Sequence, residues 1–273
     1  MCVEPDARPP ALPHAIAGGA ADARALTLEA DDGNRFRAYA AMPRERAARS
    51  AIPDGTGIVV IPDIRGLGPF YEELALRFAE AGLRAVAVDL YARTAGTDVR
   101  PPDFDSREHS GKTTQAGIAA DVAAAVRFLR SDEMGATGAL FAVGFCFGGR
   151  ASLLQGIEPH GLAGVIGFYG FPTAPSRNGS EAPADVADRF RSAVLALYGG
   201  ADQGIPPEAI ETFDAALERA GVDHESVTYP GAPHSFFDKT RPEQAAAASD
   251  AWERVLDFIA RHAGDQSQMG ARR

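Results

Sequence analysis

The chain has 273 residues, 45% hydrophobic and 23% charged, and its 37 acidic and 27 basic residues give a net charge of −10. At roughly 150 residues per domain, this length suits one large α/β domain with tails, big enough to bury a core without metal or disulfide support. The acidic balance argues against non-specific nucleic-acid binding, and no apolar run approaches the ~20 residues of a membrane span.

Two cysteines, Cys2 and Cys146, cannot build a disulfide framework, and the first twenty residues lack the compact apolar segment of a secretory signal. A reducing cytoplasm is therefore the expected compartment. Residues 1–22, rich in Pro, Ala and Gly, read as a flexible arm. Residues 25–29 and 36–41 flank Asp31-Asp32-Gly33-Asn34, a turn signal that predicts an antiparallel hairpin. A charged loop follows over 44–56. The β-branched run 57–62 predicts a strand buried on both faces, and Leu74, Phe78 and Ala81 predict a helix over 70–82.

The alternation continues through strands at 84–89, 138–144, 162–168, 193–198 and 225–229. Helices are expected over 113–130, from 147, over 206–220 and over 244–262, and a short tail over 264–273. Strands alternating with helices predict a mostly parallel sheet covered on both faces, with only the first hairpin antiparallel, in one domain over 23–263. Segments 90–112 and 170–188 break the alternation; excursions of that length are functional lids or mobile loops. Ligands of such sheets bind at the carboxyl ends of the strands.

Gly144-Phe145-Cys146-Phe147-Gly148 follows a predicted strand and opens a predicted helix. It is the nucleophile-elbow pattern with cysteine in place of serine. The turn is sharp, so side chains at 144 and 148 would collide with the neighbouring strand and helix. The helix N-terminus favours a thiolate and a developing oxyanion. Asp202 follows the strand at 193–198 and His234 follows the strand at 225–229. The chain order nucleophile, acid, histidine is that of the α/β-hydrolase fold. The histidine would take the thiol proton and the aspartate would hold its tautomer. A buried structural cysteine, a helix-capping aspartate and a surface histidine are the plain alternatives. No H-x-x-x-H or C-x-x-C spacing suggests a metal, and no dinucleotide fingerprint is present.

Taken with Pro62-Asp63-Ile64-Arg65-Gly66-Leu67, Asp89-Leu90-Tyr91-Ala92-Arg93, Gly199-Gly200-Ala201-Asp202 and Gly231-Ala232-Pro233-His234-Ser235-Phe236, the elbow makes residues 24–262 resemble the dienelactone hydrolase family. The resemblance implies an α/β-hydrolase that opens enol-lactones without metal or cofactor, through a Cys146, His234 and Asp202 triad. It also implies oxyanion donors at the backbone N–H groups of Ile64 and Phe147, and a thiol-activating carboxylate at Asp63, where the archetype has Glu. Arg93 matches an arginine that holds a substrate carboxylate, and Arg65, which fits a variant found in some branches, is the second residue expected at the substrate. The archetype's second carboxylate-binding arginine is replaced here by Asp238, and an acid cannot serve as a bidentate cation.

The expected substrate is a small ester or lactone, with carboxylate-bearing ones favoured through Arg93, taken by a monomer or small homo-oligomer. A hydrolase-fold protein that binds without turnover and a redox-sensing thiol are the competing classes. An intact triad argues against the first, and a missing resolving cysteine against the second.

Overall fold

A computed structural model describes residues 6–13, 21–44, 51–101 and 103–270, with side chains to residue 264. Cys2, His14 and parts of the expected arm and of the loop at 44–56 lie outside the described residues.

The hairpin forms from β1 (Ala21–Glu29) and β2 (Arg35–Pro43), in register from Ala21 opposite Pro43 to Glu29 opposite Arg35. Its turn closes on Ala30, which donates its N–H to Asn34 and accepts one from Gly33, whose φ is 81°. Six more strands complete an eight-stranded sheet: β3 (Gly57–Ile61), β4 (Arg84–Val88), β5 (Leu140–Phe145), β6 (Gly164–Phe168), β7 (Ala193–Gly199) and β8 (His224–Tyr229). Their order is β1-β2-β4-β3-β5-β6-β7-β8, and β2 meets β4 antiparallel while all later pairs are parallel. The sequence expectation of a mostly parallel α/β-hydrolase sheet with an antiparallel N-terminal hairpin agrees with this topology.

Among the described residues seven α-helices follow the strands: α1 (Pro69–Glu80), α2 (Ala92–Ala95), α3 (Ser106–Lys112), α4 (Gln115–Leu129), α5 (Phe147–Leu154), α6 (Pro207–Ala220) and α7 (Ala245–Gly270). Strand residues alternate between faces, and this sorts the helices. Phe141 and Phe145 of β5 meet Phe258 of α7 and Phe70 and Tyr71 of α1. Gly144, one residue out of phase, lies against Ser152 of α5. Helices therefore cover both faces, and every residue of β3 and β5 is buried. No helix among the described residues is long and apolar enough to cross a membrane.

Two expectations about the ends need correction. Within the expected flexible arm, residues 6–13 lie against the body: Ala7 and Leu12 join the core, and Trp252 of α7 donates its indole N–H to Pro10 O at 3.1 Å. The Arg8 N–H bonds Asp238 Oδ1 at 3.1 Å, and Lys239 N returns a bond to Arg8 O. The segment is held by backbone bonds and buried alanine and leucine, which composition does not show. At the other end α7 continues to Gly270, through most of the expected tail over 264–273.

Both excursions are pinned. The first contains α2 and α3, and buried Arg100 ties it to buried Asp89 at the end of β4, while Tyr91, Phe104 and His109 pack ring to ring. The second is gathered by Arg150 of α5, a buried guanidinium whose donors all reach neutral acceptors. They bond the carbonyls of Phe171, Thr173, Ser180 and Glu181 and the Ser180 hydroxyl, at 2.9–3.3 Å.

Candidate active site

Cys146 stands between β5 and α5 with φ 54° and ψ −115°, a strained conformation for a residue with a side chain. The elbow tolerates this because glycine surrounds it. A Cβ at Gly144 would lie 1.9 Å from Gly148 O, and one at Gly148 would lie 2.0 Å from Pro62 O at the end of β3. No rotamer relieves a clash against backbone, so both positions require glycine. The turn closes with Cys146 N donating to Phe168 O and Arg150 N donating to Cys146 O. Phe147 opens the first turn of α5, where amide hydrogens have no intrahelical partner and the helix dipole is positive.

Two loops at the next strand ends bring the acid and the base together. Gly200 N donates to Tyr229 O and Ala201 N to Ala232 O, which interlocks the loop after β7 with the loop after β8. His234 Nδ1 and Asp202 Oδ2 are 2.6 Å apart, and Asp202 Oδ1 accepts from Gly204 N at 2.9 Å. Burial opposes the charge on Asp202, but its bond to His234 and the Gly204 amide outweigh that cost and hold its carboxyl below the ordinary value. An ionised carboxylate can only accept, so Nδ1 carries the hydrogen and Nε2 is the basic nitrogen.

Cys146 and His234 line one open cleft, with about 850 Å³ of empty space between its walls and the solvent. Ile64 and Phe147, the expected oxyanion residues, line the same cleft. The Ile64 carbonyl accepts from Tyr91 Oη at 2.5 Å, which fixes the peptide after β3.

Asp63 is buried. It accepts the Arg65 N–H at 2.9 Å, and its own N–H bonds Tyr71 Oη at 2.9 Å. The Tyr71 hydroxyl is pushed well above the ordinary tyrosine value, first by burial and then by the charges of Asp63, Tyr169 and Cys146. Asp63 and Cys146 thus share one electrostatic neighbourhood through Tyr71.

The two arginines assigned to substrate lie elsewhere. Arg93 bonds Asp121 at 2.7 Å and Asp32 at 2.5 Å and is absent from the cleft wall. Arg65 is exposed and also outside that wall. Asp238 is buried, accepting from Arg8 N, Thr240 N and Thr240 Oγ1, so it holds the N-terminal segment and a turn. Four aromatic or cationic residues of the cleft wall went unread in the sequence. Tyr169 has a φ of 39° and packs its ring 4.8 Å from that of His234; its place directly after β6 was the available signal. Arg150, Phe171 and Arg177 also line the cleft, and of these only Arg150, a lone charge in an apolar helix, carried a sequence signal.

The model of the dienelactone hydrolase family matches residues 36–263. A protein of Methylorubrum extorquens that carries the inferred name carboxymethylenebutenolidase is 34% identical over 226 residues, covering 81% of this chain and 75% of its own. Its namesake in Escherichia coli K12 is 30% identical over 245 residues, with 86% of both chains covered. Among solved structures, a Klebsiella pneumoniae protein assigned as a dienelactone hydrolase superposes with a TM-score of 0.75 at 28% identity, covering 88% of this chain and 99% of its own.

Proposed function

This chain belongs to the dienelactone hydrolase family and is an ester or lactone hydrolase, and we propose that it works through a thioacyl-enzyme on Cys146. The observation that carries the proposal is the placement of the Cys146 elbow and the Asp202-bonded His234 on one cleft wall.

In this mechanism His234 Nε2 takes the thiol proton, and the sulfur attacks the substrate carbonyl. The carbonyl oxygen becomes an oxyanion facing the N–H groups of Ile64 and Phe147. Its collapse breaks the bond to the leaving alkoxide, which takes the proton from His234. Water, deprotonated by the same nitrogen, then attacks the thioester and releases the acid and the thiol. Asp202 keeps the imidazole in the required tautomer. Asp63, buried in the neighbourhood of Cys146, polarises the S–H as a hydrogen-bond acceptor, since its negative charge by itself opposes a thiolate. A nucleophilic thiol persists best in a reducing compartment, which supports a cytoplasmic location. The hydrolase domain in this reading spans 23–263.

Acid quenching during turnover of an activated ester, followed by peptide mass analysis, tests the proposal. The expected adduct is one acyl group on the peptide bearing Cys146. An acyl group on a serine instead, with Cys146 unmodified, would overturn it.

A further inference from the structure

The cleft wall carries two arginines, Arg150 and Arg177, and among the described residues no carboxylate. This is an inversion, because the whole chain has a net charge of −10. The two cations differ in what they have left to offer. Arg150 spends its five N–H donors on neutral acceptors in the second excursion. Burial lowers its pKa to about 10, so it remains charged at neutral pH. It contributes positive potential but has no free donor. Arg177 is exposed and makes no hydrogen bond or ion pair among the described residues.

Arg177 is also held in place. The next residue, Asn178, donates to Thr113 Oγ1 at 3.1 Å, Gly179 N bonds Ser176 O, and Arg150 grips the segment on both sides. Arg150 belongs to the helix that begins at the nucleophile. The guanidinium of Arg177 is thus carried on a wall anchored to the elbow, at the mouth of the cleft that holds Cys146 and His234.

Resting on the hydrolase reading above, we infer that Arg177 is the specificity-determining residue of this cleft and binds a carboxylate on the substrate, so that acidic esters and lactones are preferred. A planar guanidinium with unspent donors pairs with a carboxylate in a fork, and the charge of Arg150 on the same cleft wall adds attraction without competing for the same oxygens. The role is taken by a residue of the second excursion because Arg93 is committed to Asp121 and Asp32.

The test compares a matched pair of activated esters, mono-4-nitrophenyl adipate and 4-nitrophenyl 6-methylheptanoate, whose branched end imitates the carboxylate without its charge. The wild type should favour the adipate in kcat/KM. Arg177→Gln should lower that ratio by roughly tenfold or more, through KM for the adipate, and Arg177→Glu should lower it further. Because Arg177 is exposed, the preference should also shrink as salt is raised. A wild type with no preference, or a preference that survives Arg177→Gln, overturns the inference.

The ratio reads Arg177 whichever group is the nucleophile, so failure of the Cys146 mechanism would show separately, as full turnover of both esters in Cys146→Ala. If neither ester is turned over, protection of Cys146 from iodoacetamide by adipate, followed by peptide mass analysis, decides. Protection weakened roughly tenfold in Arg177→Gln supports the inference; absent protection, or equal protection in both proteins, overturns it.

Discussion

Arg93 Nη2 donates to Asp121 Oδ1 at 2.7 Å, joining α2, which follows β4, to the buried face of α4. Asn34 of the hairpin turn donates to the same oxygen at 2.9 Å, and Asp32 takes the other side of the guanidinium. Burial raises the Asp121 carboxyl above its ordinary value, and the bonds from Arg93 and Asn34 only partly offset that. The arginine that the family resemblance gives to the substrate is here a brace between three segments. Arg93→Ala is predicted to cost about 2 kcal/mol in a urea titration, since it leaves a buried carboxylate with one partner. The acidic-to-neutral ester ratio should stay put; a tenfold fall would return Arg93 to the substrate.

The elbow makes a second prediction. A Cβ at Gly148 would lie 2.0 Å from Pro62 O, and neither backbone can yield without moving β3 from α5. Gly148→Ala should give little folded protein, or a thermal midpoint lowered by several degrees. A variant with unchanged thermal stability would mean that the elbow is looser than this geometry.

Much of this was legible before the structure. The strand runs at 57–62 and 84–89 are β-branched or alanine-rich without polar breaks, and such runs have only one comfortable place, the middle of a covered sheet. The proposed triad was readable as a candidate because each member sits just past a strand in a Gly-rich loop, where chain direction alone puts it at one sheet edge. The fates of Arg93, Asp238 and Arg177 were not. Which partner an arginine finds depends on loops whose path local sequence does not set, and Asp121 lies in an Ala-rich helix where it looks like one more exposed acid. Residues 6–13 misled for a related reason. Ala7 and Leu12 are buried by contact with segments more than 200 residues away, near Asp238 and Trp252.

Asp202 carries a pH prediction. Its folded carboxyl lies below the ordinary value of 3.8 because ionisation is favoured by the His234 contact and the Gly204 amide. A lowered acid stabilises the fold where it is ionised. The stability difference between wild type and Asp202→Asn should therefore be constant above that ordinary value and shrink as pH falls through the folded value. Urea titrations at neutral pH and near pH 3 would read this; a difference that grows in acid contradicts the assignment. Asp202→Asn should also lose turnover by a smaller factor than loss of Cys146 or His234, since it disturbs orientation and leaves both reacting groups.

Arg150 holds the second excursion with five N–H bonds. Arg150→Met keeps most of the packing and removes all five donors, leaving the buried Ser180 carbonyl and three half-buried ones without this partner. Limited proteolysis should then cut between Phe171 and Glu181 in the variant and not in the wild type. Equal resistance would show that the excursion is held by other contacts.

Whether Cys146 performs the chemistry is read most directly from the turnover of folded Cys146→Ala. Its kcat/KM on an activated ester should fall roughly a thousandfold or more, at unchanged thermal stability. Cys146→Ala combined with His234→Ala should be scarcely worse, because the pair acts as a unit. A Cys146→Ala protein that keeps kcat/KM within about tenfold of the wild type would contradict the Cys146 mechanism, and another group would then have to be the nucleophile.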